Sequence, residues 1–148
     1  MIWIRLLGAA GATGLFAMIF HAPWRSVLPA TLTGTAAYAM YLLVVHLNGS
    51  AAIASFFGGL VAGIFAEVLA RRMRMPATIF ASIGVIPLVP GGGLYNTMQL
   101  ISEGDYVAAA STGVETLLMA GGIAMALAVV TAFWPVKHKK KDSEAEME

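Results

Sequence analysis

No charged residue stands between His46 and Glu67, and between Gln99 and Val136 the only charges are Glu103, Asp105 and Glu115. Stretches of this kind can be solvated only by lipid or by one another, and in lipid the backbone has to satisfy its own hydrogen bonds, which leaves helices as the fold. The whole chain has the same bias: 59% of its residues are hydrophobic and 11% charged, with a mean hydropathy of +0.80. An ordinary soluble domain is roughly 45–50% apolar and about 25% charged. A water-soluble reading fails at this step, and the expectation is an all-α integral membrane protein forming one domain over residues 1–136. The polar tail at 137–148 is expected to be disordered and cytoplasmic. Nucleic acid is excluded as a partner, because the net charge is +1 and the basic residues sit in two short runs instead of lining a face. With no cysteine, disulfides and thiolate metal sites are excluded too. Arg5 ahead of the apolar run from Leu6 to Phe20 resembles a signal peptide, but Phe20-His21-Ala22 is a poor small-x-small cleavage site. The run is therefore read as a crossing.

A helix crossing about 30 Å of hydrocarbon needs about 20 apolar residues. Polar punctuation at Trp24-Arg25-Ser26, His46 to Gly49, Arg71 to Arg74 and Glu103-Gly104-Asp105 divides the chain into five segments, 1–20, 27–47, 51–69, 77–101 and 106–133. Positive residues stay on the cytoplasmic side. Placing Arg71, Arg72, Arg74 and the tail lysines Lys137, Lys139, Lys140 and Lys141 inside also places Arg25 inside and leaves only Arg5 outside. This agreement favours five crossings over four, with the N-terminus out and the C-terminus in.

The fourth segment is broken by Pro87-Leu88-Val89-Pro90-Gly91-Gly92-Gly93. From Ala77, about ten residues at about 1.5 Å each reach roughly the middle of the bilayer at Pro87. Each proline removes an amide donor, costs about 3 kcal/mol in a helix interior and pushes the residue before it toward extended geometry, so Ile86 to Pro90 is expected to be non-helical. Three glycines then allow any dihedral, and a helix can resume near Gly93. Non-helical backbone at this depth has to be buried in protein or line a wet cavity. The second half-helix would aim free amides and its positive dipole end at the membrane centre, an arrangement suited to a carboxylate, with Tyr95 nearby and Asn96 and Thr97 adding side-chain hydrogen bonds from the first turn. A bare proline kink is the alternative, although two prolines and three glycines in seven residues exceed what a kink requires.

Glu115 lies about nine residues into the last segment and is the first candidate for proton coupling. Either it looks inward with Ser111 and Gly122, which share its helix face, or it sits near the outer interface because this segment is longer than a membrane needs. Ser55, Gly59, Gly63 and Glu67 recur every four residues on the third segment and read as a packing face, with Glu67 pairing to Arg71 at its end. Thr31, Thr33, Thr35, Tyr38 and Tyr41 give the second segment polar faces that serve helix packing more readily than substrate. His21 and His46 fall at segment ends and suggest no metal ligation. Trp3, Trp24 and Trp134 near the ends fit an aromatic belt. No nucleophile stands with a plausible base, no phosphate loop is present and no cofactor is implied, so an enzyme is not expected.

The run Ala81-Ser82-Ile83-Gly84-Val85-Ile86-Pro87-Leu88-Val89-Pro90-Gly91-Gly92-Gly93-Leu94-Tyr95-Asn96-Thr97-Met98 resembles the signature of the threonine/serine exporter family. The likeness is to the C-terminal-type half, which in some members is a small stand-alone protein, as in the small subunit of a bacterial succinate exporter. It implies a larger membrane partner carrying the N-terminal-type half, and export of hydroxy amino acids or small dicarboxylates across the bacterial inner membrane. It assigns no role to Glu115. An odd number of crossings suits such a partner, since a second half of opposite orientation would build inverted repeats around a midplane site. A homo-oligomeric channel with the broken helices around a pore, and a non-transporting scaffold subunit, are the rival readings.

Overall fold

A computed structural model describes residues 2–20 and 23–133. His21, Trp134, the tail at 137–148 and the Phe20-His21-Ala22 junction as a whole lie outside the described residues. The described residues form six α-helices: α1 (Ile2–Ile19), α2 (Trp24–Asn48), α3 (Ala51–Met73), α4 (Ala77–Val85), α5 (Gly91–Glu103) and α6 (Tyr106–Phe133), with a 3-10 turn at Ile86–Leu88 between α4 and α5.

The punctuation residues end and start these helices by identifiable chemistry. Gly49 closes α2 in the left-handed region at φ 69°, and its amide donates to the Val45 carbonyl. Gly104 does the same for α5 at φ 83°. Asp105 then opens α6, its Oδ1 accepting the Ala108 amide at 3.0 Å, which satisfies one of the donors a helix start leaves free. Two boundaries move from the sequence expectation. α2 begins at Trp24 instead of Val27, with Pro29 accommodated inside it. α3 carries on through Arg71 and Arg72 to Met73, because a long side chain can keep its charge in water while its stem lies along the helix.

Among the described residues three helices, α2, α3 and α6, are long and apolar enough to cross a membrane, and the bent pair of α4 with its 3-10 turn and α5, its halves inclined by 48°, is apolar enough for a fourth span or a re-entrant loop. α1 is apolar but shorter, about 27 Å at 1.5 Å per residue, a little under the ~30 Å of hydrocarbon. α3 is the central helix: α2, α4 and α6 pack on it, α1 packs on α2, and α5 packs on α6. Small residues make this possible. The buried positions of α3 are Ala54, Ser55, Gly58, Gly59, Ala62, Gly63, Ala66, Glu67 and Ala70, a double stripe that lets neighbouring backbones approach closely where lipid offers no hydrophobic drive to association. A β-carbon on Gly59 would lie 3.0 Å from the Ala126 methyl, and one on Gly63 would lie 3.0 Å from Val130. The hydroxyls of α2 turn back on their own helix: Thr31, Thr33 and Thr35 each donate to the carbonyl four residues earlier. That frees the Thr33 methyl to pack against Gly84, while Thr31 lies beside Gly14 with its hydroxyl oxygen nearest.

Candidate functional site

The break is shorter and lies earlier than the run of prolines and glycines suggests. Pro87 is taken up in the 3-10 turn Ile86–Leu88, whose end is marked by the Val89 amide donating to the Ile86 carbonyl at 3.2 Å. The first proline is tolerated because a tighter turn needs fewer intact amides at its start. True departure from helix is confined to Val89, at φ −57° and ψ 126°, and Pro90, at φ −77° and ψ 52°. The expectation that all of Ile86 to Pro90 is non-helical is thereby corrected.

Gly91, Gly92 and Gly93 belong to the first turn of α5 and none has a positive φ. Their use is proximity and open space, not unusual dihedrals. A β-carbon on Gly93 would collide with the Thr116 hydroxyl, so the missing side chain is what seats α5 on α6; a β-carbon on Gly91 or Gly92 would meet nothing within 4 Å. The half-helix thus starts at Gly91, not near Gly93; the Gly91 amide donates to the Val89 carbonyl at 2.7 Å, and the Gly92 and Gly93 amides are the ones that helix geometry leaves without an intrahelical acceptor. Asn96 and Thr97 consequently fall in the second turn, not the first. Thr97 faces α6, its hydroxyl donating to the Gly93 carbonyl at 2.8 Å and its methyl lying beside Gly113. Asn96 and Tyr95 are exposed, as α5 buries no residue in this chain.

Leu88 fixes the depth of the break. Its side chain is 3% exposed and fills the gap left by Gly58 on α3, beside the Ala37 carbonyl, within a cluster completed by Ala62 and Ile123 and flanked by Val85 and Leu127. Gly58 is the eighth residue of α3, so the plug sits slightly to the Ala51 side of the middle of that helix. Glu115 lies further toward that end. Gly122 abuts the Ala52 carbonyl in the first turn of α3, and Glu115 is about 10 Å beyond it along α6. Its neighbour Thr116 touches Gly93, which sets Glu115 level with the start of α5. Ser111 and Glu115 are exposed in this chain, and of the face they share with Gly122 it is Gly122 that abuts α3. On α2 the Tyr41 ring stacks on Tyr38 with centroids 5.9 Å apart, toward the Gly49 end of that helix. The α5 glycines, Asn96, Glu115 and the tyrosine pair therefore all belong to the half of the bundle that ends at Gly49 and Gly104.

On the other side of the Leu88 plug an open cleft of about 1240 Å³ runs between α4 and α6, floored by α3. Gly63, Glu67, Arg71 and Arg74 line it from α3, and Thr78 and Thr131 from its walls. Leu127 lines the cleft and also packs on the Leu88 cluster, so the plug closes its deep end. Sequence reasoning put Gly63 and Glu67 on a packing face; both are buried, and both also border this space. The cleft was missed because nothing local says that α4 and α6 stand apart. The signal available was the i, i+4, i+7 spacing of Glu67, Arg71 and Arg74.

The sequence profile of the threonine/serine exporter, ThrE, matches residues 5–133. The chain is 34% identical over 133 residues to a threonine/serine exporter of Corynebacterium glutamicum, an alignment that takes in 86% of this chain and 24% of that protein. It is 26% identical over 98 residues to an uncharacterised protein of Haemophilus influenzae, taking in 66% of this chain and 33% of the relative. It thus spans between a quarter and a third of the length of these relatives. No solved structure matches it. With the match running from α1 through α6 and taking in the bent pair of α4 and α5, this multi-pass membrane protein belongs to the threonine/serine exporter family.

Proposed function

We propose that the chain is the membrane subunit of a secondary exporter of small carboxylate metabolites, threonine and serine or a dicarboxylate such as succinate, in the bacterial cytoplasmic membrane. The observation that carries this is the broken helix: α5 restarts beside α6 with the Gly92 and Gly93 amides at its helix start and open space at the β positions of Gly91 and Gly92, in a family whose Corynebacterium member is a threonine/serine exporter. Such a helix start favours an anion by its free donors and its dipole. Gly91, Gly92, Gly93 and Asn96 would hold the carboxylate, with Pro87 and Pro90 shaping the turn and Tyr95 and Thr97 at its margin. The Leu88 plug separates this site from the cleft, as an alternating-access transporter requires.

In this reading the chain crosses the membrane five times, with α1 as the short first crossing, the N-terminus outside and the C-terminus inside. A larger membrane subunit supplies the other half of the site. The observation that supports a partner is that α5 leaves Leu94, Tyr95 and Met98 exposed beside α6. Glu115 at the level of the site is the proton-coupling residue, and a carboxylate there needs water or protein around it, since lipid would make its charge costly. The test is efflux of labelled threonine and of succinate from cells expressing the chain alone, the partner alone, or both, at controlled proton gradients. Efflux is expected only with both, and Glu115→Gln should uncouple it from the gradient. Conductance from the purified chain alone would instead establish the channel.

A further inference from the structure

Among the described residues, Glu67 is the one buried carboxylate, 7% exposed, and it lies on the floor of the cleft between α4 and α6. Glu67 and Arg71 fall at i and i+4 on one face of α3, Arg74 follows at its C-cap, and all three line the same space. Around them the lining is largely apolar, with Ala66, Ala70, Ala81 and Val130, so their charges act through a medium less polar than water. Arg74 is held in place by the backbone. It closes α3 in the left-handed region at φ 53°, with its amide and that of Met75 both donating to the Ala70 carbonyl. The cleft is larger than the roughly 300–1,000 Å³ of ordinary small-molecule sites, which suits a hydrated vestibule more than a closed pocket.

We infer that this cleft is a carboxylate-binding vestibule, distinct from the broken helix, in which Arg74 with Arg71 draws in the carboxylate and Glu67 decides what second charge the bound molecule can carry. An ammonium group beside the bound carboxylate pairs with Glu67. A second carboxylate is repelled by it. The inference rests on the exporter reading for the class of cargo, but the site is built wholly from α3, α4 and α6 of this chain.

The experiment is equilibrium binding of labelled threonine and labelled succinate to the purified full chain in phosphatidylcholine nanodiscs, by scintillation proximity. Threonine should bind more tightly than succinate. Arg74→Asn, which keeps a residue type that tolerates the left-handed region, should weaken both at least tenfold, and Arg74→Lys should retain most of the binding. Glu67→Gln should weaken threonine about tenfold and strengthen succinate severalfold, a change of opposite sign that a merely structural residue would not produce. Absence of binding by either compound, indifference to Arg74→Asn, or a shift of both compounds in the same direction in Glu67→Gln would overturn the inference. So would loss of binding when the nanodiscs contain phosphatidylglycerol, since the cleft would then be a lipid-headgroup site. Efflux by the complex is read separately: binding without efflux keeps the vestibule and sinks the exporter, whereas efflux indifferent to Arg74→Asn does the reverse.

Discussion

Adjacent glycines in α6 have opposite reasons to be small. At Gly122 a β-carbon would lie 3.0 Å from the Ala52 carbonyl oxygen and 3.4 Å from the Phe56 amide, both backbone atoms of α3; at Gly121 it would meet nothing within 4 Å. Gly121→Ala is expected to be neutral or to stabilise by up to about 1 kcal/mol through helix propensity. Gly122→Ala should cost about 1–3 kcal/mol by forcing α6 away from α3. Thermal unfolding of the two purified variants measures the contrast, and equal shifts would contradict the packing described. Gly58 and Leu88 form a coupled pair of the same kind, because a methyl on Gly58 occupies the space of the Leu88 side chain. Gly58→Ala and Leu88→Ala should each destabilise, and a double-mutant cycle should return a coupling of about 0.5–3 kcal/mol. Additive effects would mean that Leu88 is not seated on Gly58.

At the scale of elements, much of the break could be read in advance. Two prolines three residues apart cannot both sit inside one regular α-helix, and the structure accordingly separates α4 from α5 at Val89 and Pro90. What the sequence left out was tertiary. Whether Gly93 serves dihedral freedom or contact is settled by Thr116 on another helix, and the orientation of Thr97 by Gly113. Likewise the spacing of Ser111, Glu115 and Gly122 identifies a shared face but not where α3 begins, and that alone decides why Gly122 is packed and Glu115 open. The extra length of α6 was the legible clue. Replacing Pro87 and Pro90 together by alanine removes the obstacles to a continuous helix, each worth about 3 kcal/mol where it interrupts helical bonds. The double variant is expected to be at least as thermally stable as the parent while efflux by the complex falls at least tenfold. Retained efflux would show that the break is dispensable.

Across the whole molecule, the charge pattern and the packing agree on which ends lie together. Ala30 of α2 and Ala66 and Ala70 of α3 share one cluster, so Arg25 and the Arg71 to Arg74 turn are at the same end of the bundle, opposite Gly49 and Gly104. Single cysteines at Gly49 and Gly104 should therefore react with an impermeant maleimide from outside the cell, and one at Arg72 only after the membrane is opened. Labelling of all three from the same side would contradict the alternation of crossings. Between these ends the cleft, the Leu88 plug and the start of α5 follow one another, and export would require a cargo to pass them in that order. The most direct measurement is efflux of labelled threonine and succinate from proteoliposomes containing the chain and its larger partner, with and without Asn96→Ala. The expected result is efflux of at least one of the two that depends on both proteins and falls at least tenfold in the variant, with thermal stability unchanged because Asn96 is exposed. Undiminished efflux from the Asn96→Ala complex, or none from the parent complex under any gradient, would contradict the assignment of the broken helix as the carboxylate site of an exporter.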